Sequence, residues 1–219
     1  VWDDHETANN AWRGGAENHI EGEGDWETRR DAALRAWYAW TPTRQPDPAF
    51  ARFAAVRVGD LATLILLETR LTARDQEVSL FDMPIDPETD DPADPEARAR
   101  VAAWLEETAG APERQLLGPQ QLESVAGALR ASSQAGQPWR VFINQVIMGR
   151  VPAPDYPAVM PWWLSQAVRL NDPLAWSFMK RFSFGTPLNL DAWDGYAAER
   201  ERLYAAAREA DADFITQIG

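Results

Sequence analysis

The spacing of hydrophobic residues near the start of the chain predicts a loop followed by one helix. Residues 1–25 are rich in polar residues and glycine and show no sustained periodicity. Between Trp26 and Trp40 the apolar residues recur at intervals of three and four, as on one face of a helix. Asp25 is a favourable N-cap residue for this helix, and Pro42 stops it from continuing.

Two short runs of β-forming residues predict an antiparallel hairpin. The runs cover residues 53–58 and 61–67, and Gly59-Asp60 between them is a typical turn sequence. The second run is apolar throughout, which is the pattern of a strand buried on both faces.

The second half of the chain continues with alternating helical and β-type patterns. A proline stands at the first predicted position of the two middle helices, where its missing N–H costs nothing. Helix followed by strand indicates an α/β fold, with a mixed sheet flanked by helices in layers. The further elements are predicted as helices at 95–108, 119–132 and 190–210 and strands at 139–147 and 213–218.

Two segments lack a periodic pattern. Residues 82–95 are acidic and proline-rich, which favours a solvated loop over a calcium site because no spaced ligand pattern is present. Residues 149–190 are predicted to be irregular and rich in aromatic side chains. These aromatics could wall a pocket for a substrate with an organic leaving group, but packing of a long loop is the favoured interpretation.

Composition narrows the class of protein. With 219 residues, of which 45% are hydrophobic and 25% charged, we expect one globular domain spanning 1–219. A net charge of −13 argues against a nucleic-acid-binding surface. The absence of cysteine excludes disulfides and thiolate metal ligands within these residues, and no stretch has the roughly 20 apolar residues needed to span a bilayer.

The residues most suited to chemistry lie at the very start, in Trp2-Asp3-Asp4-His5-Glu6, with Asn10 shortly after. Carboxylates and an imidazole in such close succession are ligands for hard metal ions, and a metal there could polarise a phosphoryl oxygen. At the end of a strand, the run would project Asp4 and His5 into the crevice where open α/β sheets bind ligands. The alternative is that the two aspartates cap a helix and His5 is an ordinary surface residue.

This run resembles a motif of the PhoD-type alkaline phosphatases and phosphodiesterases, in the calcineurin-like metallophosphatase superfamily. Further blocks in the same order extend the resemblance over nearly the whole chain. They are the block 30–44 with its Pro-Thr-Arg end, Gly59-Asp60-Leu61, Glu68-Thr69-Arg70, the block 117–122 and the block 189–196.

The resemblance implies a metal-dependent phosphoesterase and assigns roles by position. The superfamily's Gly-Asn-His-Glu run has a metal-ligating Asn and a His that contacts the phosphate or the leaving group. By that alignment Asp4 would be a metal ligand, with Asp3 as a further candidate ligand, and His5 the catalytic residue. Asn10 and Arg70 would support their geometry.

The resemblance also implies what the chain does not contain. Such enzymes draw other metal ligands from motifs upstream and downstream of these blocks, so we expect an interior piece, truncated at both ends and inactive alone. Iron and calcium are the implied metal ions, small-molecule phosphoesters the substrates, and the periplasm or exterior the location. Glu68 stands where the family usually has Asp before Thr-Arg.

Two other hypotheses remain open from the sequence. The chain could be a non-catalytic module that binds a ligand or partner on the same α/β scaffold. It could also be a one-metal hydrolase that is complete in itself.

Overall fold

A computed structural model describes residues 2–47 and 52–218 of the chain. The chain divides into two compact units. The first comprises Val1–Gln76, Glu113–Met148 and Ala198–Gly219, and the second Glu77–Pro112 and Gly149–Ala197. The single domain expected from the length stays a prediction.

The first unit holds a four-stranded sheet in the order β1-β2-β3-β4. The first pair is antiparallel, as predicted for the hairpin, and the other two pairs are parallel, so the α/β class with a mixed sheet is confirmed. The elements are α1 (Trp26–Trp40), β1 (Ala54–Val58), β2 (Ala62–Leu66), α3 (Gly118–Gln134), β3 (Trp139–Asn144), α7 (Ala197–Glu209, which begins one residue before this unit) and β4 (Ile215–Ile218).

Helix α1 has the bounds that its sequence predicts. The Asp25 carboxylate accepts the Thr28 N–H at 2.8 Å, which is the predicted N-cap. Its inner face joins a cluster with Trp2, and the ring of Trp2 meets that of Trp37 edge-on at 5.5 Å. Local signals therefore determined this helix, and its aromatic residues attach the first residues of the chain to the core.

Strand β3 ends earlier than predicted, at Asn144 instead of residue 147. The Asn144 side chain donates to the Val146 carbonyl at 2.6 Å and accepts the Val146 N–H at 3.3 Å. Such local side-chain bonds compete with the β-ladder, and they turn the chain out of the sheet here.

The two faces of the sheet differ in burial. On one face Ile65 and Phe142 are fully buried, and Phe142 packs edge-on against Phe214 at 4.5 Å. On the other face Leu64 and Val141 are half-buried. The expectation that β2 is buried on both faces is therefore wrong for Leu64 and Leu66, which are only half-buried.

The second unit corrects the prediction for residues 149–190. This segment is not irregular, because it contains three helices, two of which have an aspartate cap and a proline in the first turn. Here Asp155 and Asp172, each close to a proline, are helix-start signals. The unit's helices are α2 (Pro95–Glu107), α4 (Tyr156–Val159), α5 (Trp162–Asn171) and α6 (Pro173–Phe182), with short 3₁₀ helices at Leu80–Asp82 and Trp193–Tyr196.

The acidic segment 82–95 is a succession of turns between the first 3₁₀ helix and α2, as its composition predicts. Aromatic residues nearby divide between core and surface. Phe182 and Phe184 are buried, whereas Trp162 and Trp163 are exposed. Packing therefore accounts for part of the aromatic content.

The helix predicted at 190–210 is shorter in the structure. A 3₁₀ turn at Trp193–Tyr196 leads into α7, which covers Ala197–Glu209.

Candidate functional site

The acidic run at the start of the chain lies beyond the carboxyl ends of two parallel strands. The Trp2 carbonyl accepts a hydrogen bond from the side chain of Gln145, which directly follows β3. The Trp2 indole Nε1 donates to the Glu68 carboxylate, just after β2, at 3.1 Å. These two contacts place Asp3 and Asp4 at the edge of the sheet where open α/β folds bind their ligands.

Asp4 is buried and engaged on both carboxylate oxygens. Its Oδ2 accepts the Asn10 N–H at 3.0 Å, and its Oδ1 lies 3.6 Å from Nη2 of Arg70. Burial raises the pKa of Asp4, but the hydrogen bond from Asn10 and the charge of Arg70 outweigh it, so the pKa lies below its usual value. Asp4 is therefore an anion held in place at neutral pH.

His5 lies beside Asp4 but faces solvent. Its Nε2 is 3.3 Å from Asp4 Oδ2 and 3.0 Å from the side-chain oxygen of Asn9, and its side chain is 79% exposed. Two acceptor oxygens at one nitrogen favour the tautomer with the proton on Nε2. The imidazole is thus oriented by a fixed carboxylate while remaining accessible to a ligand.

Arg70 links the two aspartates. Its guanidinium is buried, and its Nε and Nη2 donate to the same Asp3 oxygen at 3.1 and 2.9 Å. The same Nη2 approaches Asp4, so one cation neutralises part of the charge of both carboxylates.

Asn10 adopts a left-handed backbone conformation with φ of 48°. This conformation turns its N–H toward Asp4, and its side chain donates to Glu17 at 3.1 Å. Asn tolerates positive φ better than most residues, which gives a physical reason for its presence here. All five predicted site residues thus lie in one connected cluster, and their catalytic and metal-binding roles stay predictions.

Two residues of this cluster were not predicted as site residues, Asn9 and Glu68. Asn9 follows His5 at a spacing that a helical turn brings together, which was the available signal. The Glu68 carboxylate accepts the N–H groups of Arg70, Leu71 and Thr72 at 2.9, 2.9 and 2.8 Å. Glu68 therefore shapes the turn that presents Arg70, although it replaces the aspartate expected at this position.

The donor atoms of the cluster do not by themselves form a metal centre. Within residues 2–47 and 52–218, no three His, Asp or Glu side chains converge as a set of metal ligands. The carboxylates of Asp3 and Asp4 face the Arg70 guanidinium, which competes with a cation for the same oxygens. The described residues therefore do not fit a complete iron or calcium site.

A family model described as PhoD-like phosphatase matches residues 1–216. The chain belongs to the PhoD-like phosphatase family. A solved structure entitled "Structure of PhoD" has the same fold with a TM-score of 0.62 at 21% sequence identity. That match covers 99% of this chain and 33% of the PhoD chain, so the chain spans about a third of that protein. No curated protein matches the sequence.

Membership of the PhoD-like family gives the cluster a chemical context, because this is a family of phosphatases. The sequence resemblance that suggested the family is thereby confirmed. Within the described residues, no helix is both long and apolar enough to cross a membrane.

Proposed function

We propose that the protein hydrolyses phosphate mono- or diesters of small organic molecules, with these residues forming part of its active site. The observation that carries the proposal is the pairing of exposed His5 with buried, anionic Asp4 at the carboxyl ends of β2 and β3. Membership of a phosphatase family supports the reaction class.

His5 is proposed to act on the leaving-group side of the phosphoester. Because Asp4 and Asn9 already engage Nε2, the proton for the oxygen that gains negative charge as the ester bond breaks is carried on Nδ1 of the protonated ring. Asp4 orients the ring and stabilises the imidazolium form, because its carboxylate stays ionised. Asn10 and Arg70 hold Asp4 in this position.

Iron and calcium ions are the proposed cofactors of the whole protein, on the basis of the family resemblance, and would activate the attacking water. Asp4 and Asp3 are the ligands this chain is proposed to contribute. Because the described residues do not complete a metal site, we propose that the 219-residue chain alone is inactive. We also propose a periplasmic or secreted location, again from the resemblance.

The test uses the full-length protein loaded with iron and calcium and assayed on p-nitrophenyl phosphate and its bis-ester. His5→Gln should lower kcat by about 100-fold, the usual contribution of a general acid or base. The matched control is His19→Gln, because His19 is the other histidine of the chain and contacts Arg29 and Trp26 instead.

Two results would contradict the proposal. One is absence of hydrolysis of both esters by the metal-loaded protein. The other is an equal effect of the two histidine substitutions. A second candidate function is a non-catalytic binding module. It is favoured by the pairing of Asp3 and Asp4 with Arg70, which competes with metal binding. Absence of hydrolysis of both esters would support this second function.

A further inference from the structure

A groove of about 740 Å³ opens in the first unit, apart from the Asp4–His5 pair. It lies between the residues that lead into β1, the end of β2 and the first turns of α3. Its volume is within the range of about 300–1,000 Å³ typical of sites for small organic molecules. Its wall includes Arg52, Phe53, Glu68, Leu117, Pro119 and Gln121.

The acceptor groups in this wall are already used within the protein. The Glu68 carboxylate accepts the Trp2 indole and several backbone N–H groups. The side chain of Gln121 accepts the Glu68 N–H and donates to the Glu68 carbonyl, both at 2.8 Å. Phe53 and Leu117 contribute apolar wall, so the groove favours a ligand with an apolar body.

Arg52 is the exception, because it has unused hydrogen-bonding capacity. Its guanidinium carbon lies 4.5 Å from the ring centre of Trp37, with the rings of Trp2 and Tyr38 at 5.7 and 5.8 Å. Its Nε is buried without a hydrogen-bond partner, and no carboxylate of residues 2–47 and 52–218 forms an ion pair with it.

Aromatic contacts leave the hydrogen-bonding capacity of such a guanidinium intact. Stacking uses the face of the group, whereas its N–H donors point outward in its plane and match the oxygens of a carboxylate or phosphate. The aromatic residues also restrict the side chain, so less conformational entropy is lost when an anion binds.

We infer that this groove binds an organic anion, namely a phosphate or carboxylate group attached to a flat apolar body. Arg52 binds the anionic group, and Phe53 and Leu117 contact the body. The inference goes beyond the proposed hydrolysis, since it requires neither His5 nor Asp4. Glu68 lines the groove and also bonds to Trp2, so a bound ligand lies next to the segment that carries the Asp4–His5 pair.

The experiment is calorimetric titration of the full 219-residue chain with phenyl phosphate, benzoate, inorganic phosphate and phenol. Phenyl phosphate and benzoate should bind at least tenfold more tightly than inorganic phosphate or phenol, because only they combine charge and apolar area. Arg52→Met should weaken both by about tenfold or more. Arg57→Met removes a nearby exposed cation of β1 that does not line the groove, and should leave both affinities unchanged.

A second pair of variants keeps the test valid if Arg52→Met unfolds. Ser124→Trp places a large side chain at an exposed position of the groove wall and should abolish binding. Ala131→Trp, two turns further along the same face of α3 and outside the groove, should not.

His5→Gln tests whether the groove is distinct from the proposed active site. This substitution should not change the affinity for phenyl phosphate or for benzoate. Unchanged binding in Ser124→Trp, or loss of binding in His5→Gln, would assign the anion to another site and overturn the inference. Failure of all four ligands to bind would also overturn it. The two proposals can fail separately. If the chain binds benzoate but the full-length protein hydrolyses no ester, the groove inference is supported and the phosphatase proposal is rejected.

Discussion

The indole nitrogen of Trp2 donates a 3.1 Å hydrogen bond to the carboxylate of Glu68, across 66 positions of the chain. Both residues are about 1% exposed, so neither group has water as a substitute partner. Through this bond the segment that carries Asp3, Asp4 and His5 is attached to the turn that carries Arg70.

Glu68→Ala should therefore destabilise the chain strongly. It leaves the Trp2 indole and the N–H groups of Arg70, Leu71 and Thr72 without their acceptor in a buried site. We expect a loss of about 2–4 kcal/mol in the free energy of unfolding, measured by urea denaturation.

Glu123→Ala is the matched control for this substitution. Glu123 forms an exposed pair with Arg130 at 2.9 Å, and its removal should cost less than about 1 kcal/mol. Equal losses for the two variants would show that the Glu68 bonds do not contribute to stability.

Ionisation of Asp4 should make the free energy of unfolding depend on pH in the acid range. Because the pKa of Asp4 is lowered in the folded state, ionisation of Asp4 stabilises the fold above the unfolded pKa of about 4. That stabilisation is lost as the pH falls below about 4 and through the folded pKa. Asp4→Asn should therefore lose less stability than the original chain between pH 5 and pH 3, measured by urea denaturation at each pH. Parallel curves for both proteins would argue against the Arg70–Asp4 interaction.

Asn10 should tolerate glycine but not valine. With φ at 48°, a β-branched residue is strained, whereas glycine adopts this conformation readily. We expect Asn10→Val to lower the free energy of unfolding by about 1–3 kcal/mol, which thermal denaturation detects as a lower midpoint temperature. Asn10→Gly loses the same bond to Glu17 without the strain, and should lose much less. A larger loss for glycine than for valine would exclude backbone strain as the reason for Asn10.

Metal binding by the 219-residue chain should be weak. Arg70 contacts one oxygen of Asp3 and one of Asp4, and no third ligand converges on them within the described ranges. Metal analysis after equilibration with iron and calcium should therefore find well below one ion per chain. Arg70→Met frees both carboxylates and should increase calcium retention. A tightly held stoichiometric ion in the unaltered chain would instead favour a one-metal hydrolase.

Several features of the fold were predictable because their causes are local. The start of α1 follows from the Asp25 cap and its end from Pro42, and the hairpin follows from Gly59-Asp60 between two β-forming runs. The helices within 149–190 were missed although their signals are also local. Asp172, for example, caps α6 and is followed by Pro173 at its first position.

The sequence by itself determined the α/β class and the family, and it predicted the five residues that the structure brings into one cluster, because these depend on residue types, local periodicity and the order of motifs. Only the tertiary structure decided that Arg70 neutralises Asp3 and Asp4, that Glu68 holds Trp2, and that Arg52 lies among aromatic rings beside a groove. Those contacts join residues far apart in the chain. Their strength depends on burial and distance, which no local pattern specifies.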